Sequence, residues 1–256
     1  MSGSIQMNVD DSVARLVIDD LQRHNAMSLG MWQQISDLMG QVEADPKVRV
    51  CVIRGAGEKA FVSGANITEF EMVRSSTDAT ERYNQAVKAA QAAVSNCKVP
   101  VIAAIQGICY GGGLGLAMAC DLRYATPDAR FRLPAARLGL GYGVEGIASM
   151  LENMRASAVA EALYRAKVYS AQEALAAGMI NAIAPDVHNT VDQIAREIAA
   201  NAPLTIRAGK LALRAALGRG STAEASQAVV ACFESQDYRE GRKAFAQKRA
   251  PQFKGS

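Results

Sequence analysis

The sequence has only two histidines, His24 and His188, and five cysteines, Cys51, Cys97, Cys109, Cys120 and Cys232. The cysteines are odd in number, scattered and mostly in apolar surroundings, and none forms a CxxC pair. Neither a disulfide framework nor a metal site is therefore expected, and a soluble cytoplasmic protein is the default reading. An excess of one charge is also missing: 28 Lys and Arg stand against 25 Asp and Glu, a net +3. With no Lys/Arg block, nothing advertises a nucleic-acid face. The N-terminal MSGSIQMNVDDS lacks the basic start and apolar stretch of a signal peptide. One long uncharged run, from Val99 to Cys120, has the length of a membrane span. Pro100 and Gly111 to Gly113 would break a helix there, so it reads as a buried strand (VIAAI), a turn and a short buried helix. No membrane partner is expected.

What is present is a chain of 256 residues, half of them hydrophobic, long enough for one α/β domain with a substantial core. ARLVIDD (14–20) and VRVCVIRG (48–55) have strand character. Between them a helix starts at a Ser28 N-cap, with Met31, Ile35, Leu38, Met39 and Val42 on one face, and stops at Pro46. GEKAFVSGANITEF reads as a loop, residues 78–97 as an amphipathic helix, and DLRYAT as another strand. From Ala156 onward helical patterns dominate, including SAQEALAAG with a Gly178 stop and TVDQIAREIAANAP with a Pro203 stop. The order suggests repeated ββα units followed by a helical tail.

Two glycine turns carry possible chemistry. In SGAN (63–66) Gly64 permits a tight turn and Ala65 offers a backbone N–H with almost no side chain. YGGGLG (110–115) leads into the N-terminus of the buried helix, where free N–H groups and the positive helix end collect. Two such amides aimed at one point form an oxyanion hole. The other reading is that these glycines simply allow a helix to pack closely on a strand. Gly141, Gly143 and Gly146 spell GxGxxG, but they follow FRLPAARLGL rather than a first buried strand, so the dinucleotide reading fails.

GAGEKAFVSGANITEF, VIAAIQGICYGGGLGLAMACDLRYAT and SAQEALAAGMINAIAP, in that order, resemble the enoyl-CoA hydratase/isomerase (crotonase) family. RHNAMSLGMW near the start and EGRKAFAQKRAPQFKG at the end extend the resemblance over essentially the whole chain. It implies a crotonase-like α/β spiral of ββα units over residues 1–195, carrying an acyl-CoA site. It also implies a C-terminal helical region, 196–256, used in forming a homotrimer or hexamer. Apolar stripes such as Ile206, Leu211, Leu213 and Leu217, or Val229, Val230 and Phe233, suit that assembly. The implied substrate is an acyl-CoA thioester, with coenzyme A entering as part of the substrate and no separate cofactor.

By position in the family pattern, the oxyanion donors are the N–H groups of Ala65 and Gly112, with Gly111 beside them. Asn66, Ile67 and Thr68 continue the acyl-CoA-binding strip. Arg23 and His24 touch the CoA moiety, and Phe245 and Lys248 lie near its adenine end. The family's hydratases carry a glutamate three residues after the central glycine of GGG and another after the proline of a QPE-like segment. Here those positions hold Gly115 and Ala135, and Asn66 replaces the usual aspartate. The loop LGLGYGVEGI (138–147) instead offers Tyr142 and Glu145. Tyr142 matches a tyrosine of the family's methylmalonyl-CoA decarboxylase, whose histidine matches Ala65 here. Tyr142 is a candidate proton donor, and Glu145 a candidate base if burial raises its pKa. The bland alternatives are a tyrosine packed over the loop and a surface glutamate paired with Arg137 or another base. Three functional readings stay open: an enoyl-CoA hydratase, a decarboxylase or isomerase of a small acyl-CoA, and a non-catalytic acyl-CoA-binding protein.

Overall fold

The computed structural model describes residues 3–66 and 77–256. Among these residues ten strands form two sheets: a six-stranded sheet ordered β1-β2-β3-β5-β7-β10 and a four-stranded sheet ordered β4-β6-β8-β9. The strands are β1 (Ser4–Asp10), β2 (Val13–Asp19), β3 (Val50–Gly55), β4 (Ala60–Val62), β5 (Val101–Ile105), β6 (Ile108–Tyr110), β7 (Leu122–Ala125), β8 (Arg130–Arg132), β9 (Tyr169–Ser170) and β10 (Ala182–Ile183). From β3 to β8 successive strands alternate between the two sheets, and within each sheet these strands pair in parallel. That alternation is the spiral of ββα units.

The six-stranded sheet is covered on both faces, which is why VIAAI of β5 is apolar throughout. On one face Leu16, Ile18, Ile53, Ala103 and Ile105 join the main core with Phe61, Phe131 and Trp32. On the other, Val13, Val50, Val52, Ile102 and Ala104 meet Val187, Val191, Ala195 and Ala199. Those four residues lie on the helix Val187–Ala199.

The helix expected after Ser28 is α1 (Leu29–Ala44), with the Ser28 hydroxyl accepting the Met31 N–H, and Met31, Ile35, Met39 and Val42 buried. The second helix, α2, runs Thr77–Asn96. The uncharged stretch holds β5, β6 and a short helix, α3 (Gly112–Ala119). No helix among the described residues is long and apolar enough to cross a membrane. The helical second half comprises α4 (Val144–Leu151), α5 (Ala156–Arg165), α6 (Ala171–Ala177), α7 (Val187–Ala199), α8 (Pro203–Ala216), α9 (Thr222–Glu234) and α10 (Gln236–Ala246). Helix α6 has a full capping box at Ser170 and Glu173, and its stop, Gly178, is left-handed at φ 83°.

Three expectations need correction. AFV within the supposed loop is β4, and ICY is β6; both are three-residue strands, too short to show alternation, and are held by pairing with each other. Pro203 does not stop the preceding helix, which has already ended at Ala199. It opens α8 at a first-turn position, where its missing N–H costs nothing.

Charged anchors attach the C-terminal layer to the core. Lys210, only 8% exposed, donates to the Val99 carbonyl (2.9 Å) and to Asp121 Oδ2 (2.6 Å), while the same Asp121 oxygen accepts the Val101 N–H (2.7 Å). Arg49 donates to the carbonyls of Ala199 (2.9 Å) and Phe253 (2.7 Å). Lys210→Met removes the cation but leaves the partly buried Asp121 carboxylate. It is expected to lower stability by about 2–4 kcal/mol, read as a lower denaturation midpoint at unchanged slope.

Candidate functional site

Strands β4 and β6 lie side by side in parallel, with Val62 opposite Cys109. Each runs directly into a glycine turn, Gly64 at φ 127° and Gly111 at φ 53°, conformations that side chains rarely adopt. Three residues beyond each member of that strand pair stand Ala65 and Gly112. The turns therefore bring these two backbone amides to the same edge of the small sheet.

Among the described residues the local hydrogen bonding leaves both N–H groups over. Ala65 forms a single parallel bridge with Met27, made by the Met27 N–H to the Gly64 carbonyl (2.8 Å) and the Asn66 N–H to the Met27 carbonyl (3.0 Å). Such a bridge uses neither polar group of Ala65 itself, so its N–H points to the opposite side. Gly112 is the first residue of α3, where an amide has no intrahelical acceptor, and Gly111 supplies no side-chain cap. The Gly111 N–H is spent on the Arg132 carbonyl (2.9 Å).

The glycines also serve close packing. A Cβ on Gly112 would lie 2.9 Å from the Trp32 ring, and one on Gly113 would lie 2.6 Å from both the Cβ and the carbonyl oxygen of Val62. Trp32 is fixed beneath by its indole N–H, which donates to the Tyr83 hydroxyl at 3.0 Å. Packing and amide supply are thus two consequences of one arrangement.

The positions without carboxylates lie in the same neighbourhood. The Pro134 ring is 3.8 Å from where a Gly111 Cβ would stand, and buried Ala135 follows it. Gly115 is on the buried α3, and the carboxamide end of Gln91, from α2, lies directly against its Cα. Gln91 was not legible as a site residue, because only long-range packing brings it there. Trp32 was closer to legible, since it shares the helical spacing of Ile35 and Met39.

Tyr142 packs partly buried against the core and lies over Gly146. Burial pushes its phenol above the ordinary value, so it is a neutral donor at physiological pH. Glu145 differs from expectation. It is exposed, and its carboxylate pairs with Lys88 of α2 at 3.3 Å, not with Arg137. A backbone N–H and the Lys88 ammonium hold it below the usual carboxylate range. The burial that would have made it a near-neutral base is absent, because the loop turns this side chain outward at the start of α4.

Arg23 and His24 lie beside the first turn. The His24 carbonyl accepts the Ser63 N–H (3.2 Å), and the Arg23 carbonyl accepts the Ser63 hydroxyl (3.0 Å). His24 is exposed and left-handed at φ 53°, whereas Arg23 is ion-paired to Asp20 (3.3 Å). Buried Asn25, another residue missed in the sequence, braces this loop. Its Oδ1 accepts the Asp20 N–H, and its Nδ2 donates to the carbonyls of Ala56 and Ala60. Asn66 is buried, while Ile67 and Thr68 lie outside the described residues. Phe245, 88% exposed, lines an apolar cavity of about 610 Å³ among the C-terminal helices, and Lys248 is exposed just beyond α10. Their contacts are with that helical layer and not with the glycine turns.

Parallel strands that alternate between two sheets, with two spare amides at adjacent strand ends, define a crotonase-fold protein. The profile of the enoyl-CoA hydratase/isomerase family matches residues 8–256, and the chain belongs to that family. It is 31% identical to the crotonyl-CoA hydratase of Syntrophomonas wolfei over 98% of this chain and 97% of that protein. It is 29% identical to the short-chain-enoyl-CoA hydratase of Clostridium acetobutylicum over 96% and 95%. A crystal structure of an enoyl-CoA hydratase/isomerase family protein from Hyphomonas neptunium superposes with a TM-score of 0.94 at 33% identity, covering 97% of each chain.

Gly113 and Gly115 of α3 should respond differently to alanine. Gly113→Ala drives a methyl into the backbone and side chain of Val62 and is expected to cost about 1–3 kcal/mol. Gly115→Ala meets only the movable end of Gln91 and gains helix propensity, so its change should stay within about 1 kcal/mol of zero. Chemical denaturation of both variants checks the pair.

Proposed function

We propose that this chain binds an acyl-CoA thioester and stabilises its enolate with the N–H groups of Ala65 and Gly112, working nominally as an enoyl-CoA hydratase. The observation that supports this most directly is the pair of spare amides at adjacent strand ends, one of them at the positive end of α3. Relatives of about 30% identity are named as hydratases of short enoyl-CoA esters, which agrees with the substrate class. Arg23, His24, Phe245 and Lys248 would serve the CoA moiety.

A second reading within the same site is favoured by Gly115 and Ala135. Hydration needs a base for water and an acid for the α-carbon, and a positioned group of either kind contributes typically 10²–10⁴-fold. With neither carboxylate present, decarboxylation suits the site better than hydration. When the bond from Cα to a malonyl-type carboxylate breaks, CO2 leaves and the electron pair remains as the thioester enolate. No base is required, and Tyr142, a neutral phenol whose pKa burial raises further, can protonate the α-carbon. Isomerisation needs a base to take a proton, so it is less well served.

Turnover of crotonyl-, malonyl- and methylmalonyl-CoA separates these chemistries. Hydration of crotonyl-CoA as the faster reaction would support the hydratase reading, and faster decarboxylation of a malonyl-type ester would support the second. Binding without turnover of any ester would instead make the chain an acyl-CoA-binding homologue. A bound ester should put its thioester oxygen about 2.7–3.1 Å from both amides. A carbonyl held elsewhere, or no binding at millimolar concentration, overturns the proposal. Tyr142→Phe is expected to lower kcat at least about tenfold, roughly 1.4 kcal/mol of barrier, with little change in CoA affinity. Glu145→Gln, at an exposed ion pair, should remain within about threefold.

For the assembly, we read residues 196–256 as the surface through which copies associate. Leu213, Leu217, Val230, Phe233 and Phe245 are all more than half exposed in the single chain. Apolar area of that kind is normally covered. Light scattering at micromolar concentration is expected to give the mass of a trimer or hexamer; a stable monomer would refute it.

A further inference from the structure

The face of the six-stranded sheet that packs on α7 changes character along the strands. Val13, Val50, Val52, Ile102 and Ala104 are apolar and covered by α7. Further along, the same alternation puts Arg54 on this face, two residues after Val52, and Arg15 stands in register with Val52 on the neighbouring strand. The result is a polar basin of about 320 Å³ beside the start of α7, lined by Arg15, Arg54, Arg196, His188, Asp10 and Asp192 among others.

The charges in this basin do not cancel. Both carboxylates share Arg15: its Nε donates to Asp192 at 3.0 Å, and its terminal nitrogen lies 4.0 Å from Asp10. Arg54 and Arg196 have no ion-pair partner among the described residues. The Arg54 Nε is buried without an acceptor. His188 places its Nε2 at 2.9 Å from Gln106 Oε1, so that nitrogen carries the proton. The other nitrogen, Nδ1, is then a lone-pair acceptor, and it is buried without a donor. Burial and the Arg54 charge lower the His188 pKa, which keeps the ring neutral against the opposing pull of Asp186 and Asp192. Both orphan atoms belong to side chains that line this one cavity, and buried polar atoms of a native fold are normally satisfied, so the pair points to a partner that belongs there once the side chains adjust to meet it.

We propose that this basin binds a small oxyanion that also carries a hydroxyl, with hydrogenphosphate as the fitting chemistry. Its negative oxygens meet Arg54 and Arg196, and its O–H donates to His188 Nδ1. The site lies on the opposite face of the sheet from the main core and uses none of the residues assigned to the acyl-CoA site. The same chemistry arrives either as free phosphate or on a small phosphorylated alcohol with its own hydroxyls.

Calorimetric titration of the intact protein at pH 7.5 with inorganic phosphate, sulfate and glycerol 3-phosphate tests this. Phosphate is expected to bind at least tenfold more tightly than sulfate, which has the charge but no hydroxyl at this pH. Arg54→Gln should weaken phosphate binding at least tenfold. Arg196→Gln, at an exposed helix position where folding is not at stake, should weaken it severalfold. Tighter binding of glycerol 3-phosphate than of phosphate would support the site and identify a phosphorylated alcohol as its occupant; the reverse order would support it with free phosphate. Equal affinity for sulfate, phosphate binding unchanged by Arg196→Gln, or no phosphate binding at millimolar concentration would overturn the proposal.

Discussion

Helix α3 begins in close contact with β4, its glycines adding no side chain between them, and the rest of the site follows from that contact. Gly113 faces the Val62 backbone and Gly112 faces the Trp32 ring, each at a distance that excludes a Cβ. The helix N-terminus is consequently drawn to the end of the small sheet, where β4 has just turned at Gly64. An amide from each chain segment arrives at one edge without any side chain having to be aimed. Backbone donors held this way lose little entropy when they meet charge, because both are already fixed by strand pairing and helix start.

This division separates what holds an anion from what moves protons. The amides depend on glycines and on the Val62–Cys109 pair, whereas acid and base groups depend on single side chains at Gly115, Ala135 and the 138–147 loop. The two amides therefore stay in place whatever side chains stand at Gly115, at Ala135 or in that loop. At Gly115 the carboxamide end of Gln91 from α2 lies against the glycine, so that space is filled by a neutral, hydrogen-bonding group. The cost of carrying an ionised carboxylate in that buried region is avoided as well.

The fold was legible wherever one physical signal dominated. The Ser28 cap with its periodic apolar face, the Ser170–Glu173 box with Gly178, and the continuous apolar run of β5 all specify their elements locally. The short strands β4 and β6 were not legible, because three residues carry no period and their stability lies in each other. The glycine turns could be found from composition, but their two purposes could not be separated from sequence, and the structure shows why: the packing contact is what exposes the amides. Whether Glu145 is buried could not be read locally, because the direction of its side chain depends on which way α4 starts; the exposed pair with Lys88 is the surface alternative. Gln91 and Asn25 act through partners distant in sequence, Gly115 and the carbonyls of Ala56 and Ala60, so no local pattern marks them.

The two faces of the six-stranded sheet solve opposite electrostatic problems. On the core face, polarity at the candidate site comes from the backbone, which cannot titrate, so the pocket has the same donor strength across the pH range in which the protein stays folded. On the α7 face, polarity comes from guanidinium groups and a neutral imidazole, whose balance depends on neighbouring charges. Both carboxylates sit against Arg15, and this leaves Arg54 and Arg196 without an ion-pair partner among the described residues. Had Asp10 or Asp192 paired with Arg54 instead, the basin would be neutral there and His188 would lose the cation that helps keep it unprotonated. The register of β2 on β3, which sets Arg15 opposite Val52 and Val17 opposite Arg54, therefore decides which arginine is free. A packing constraint again fixes the chemistry, here through side chains instead of amides.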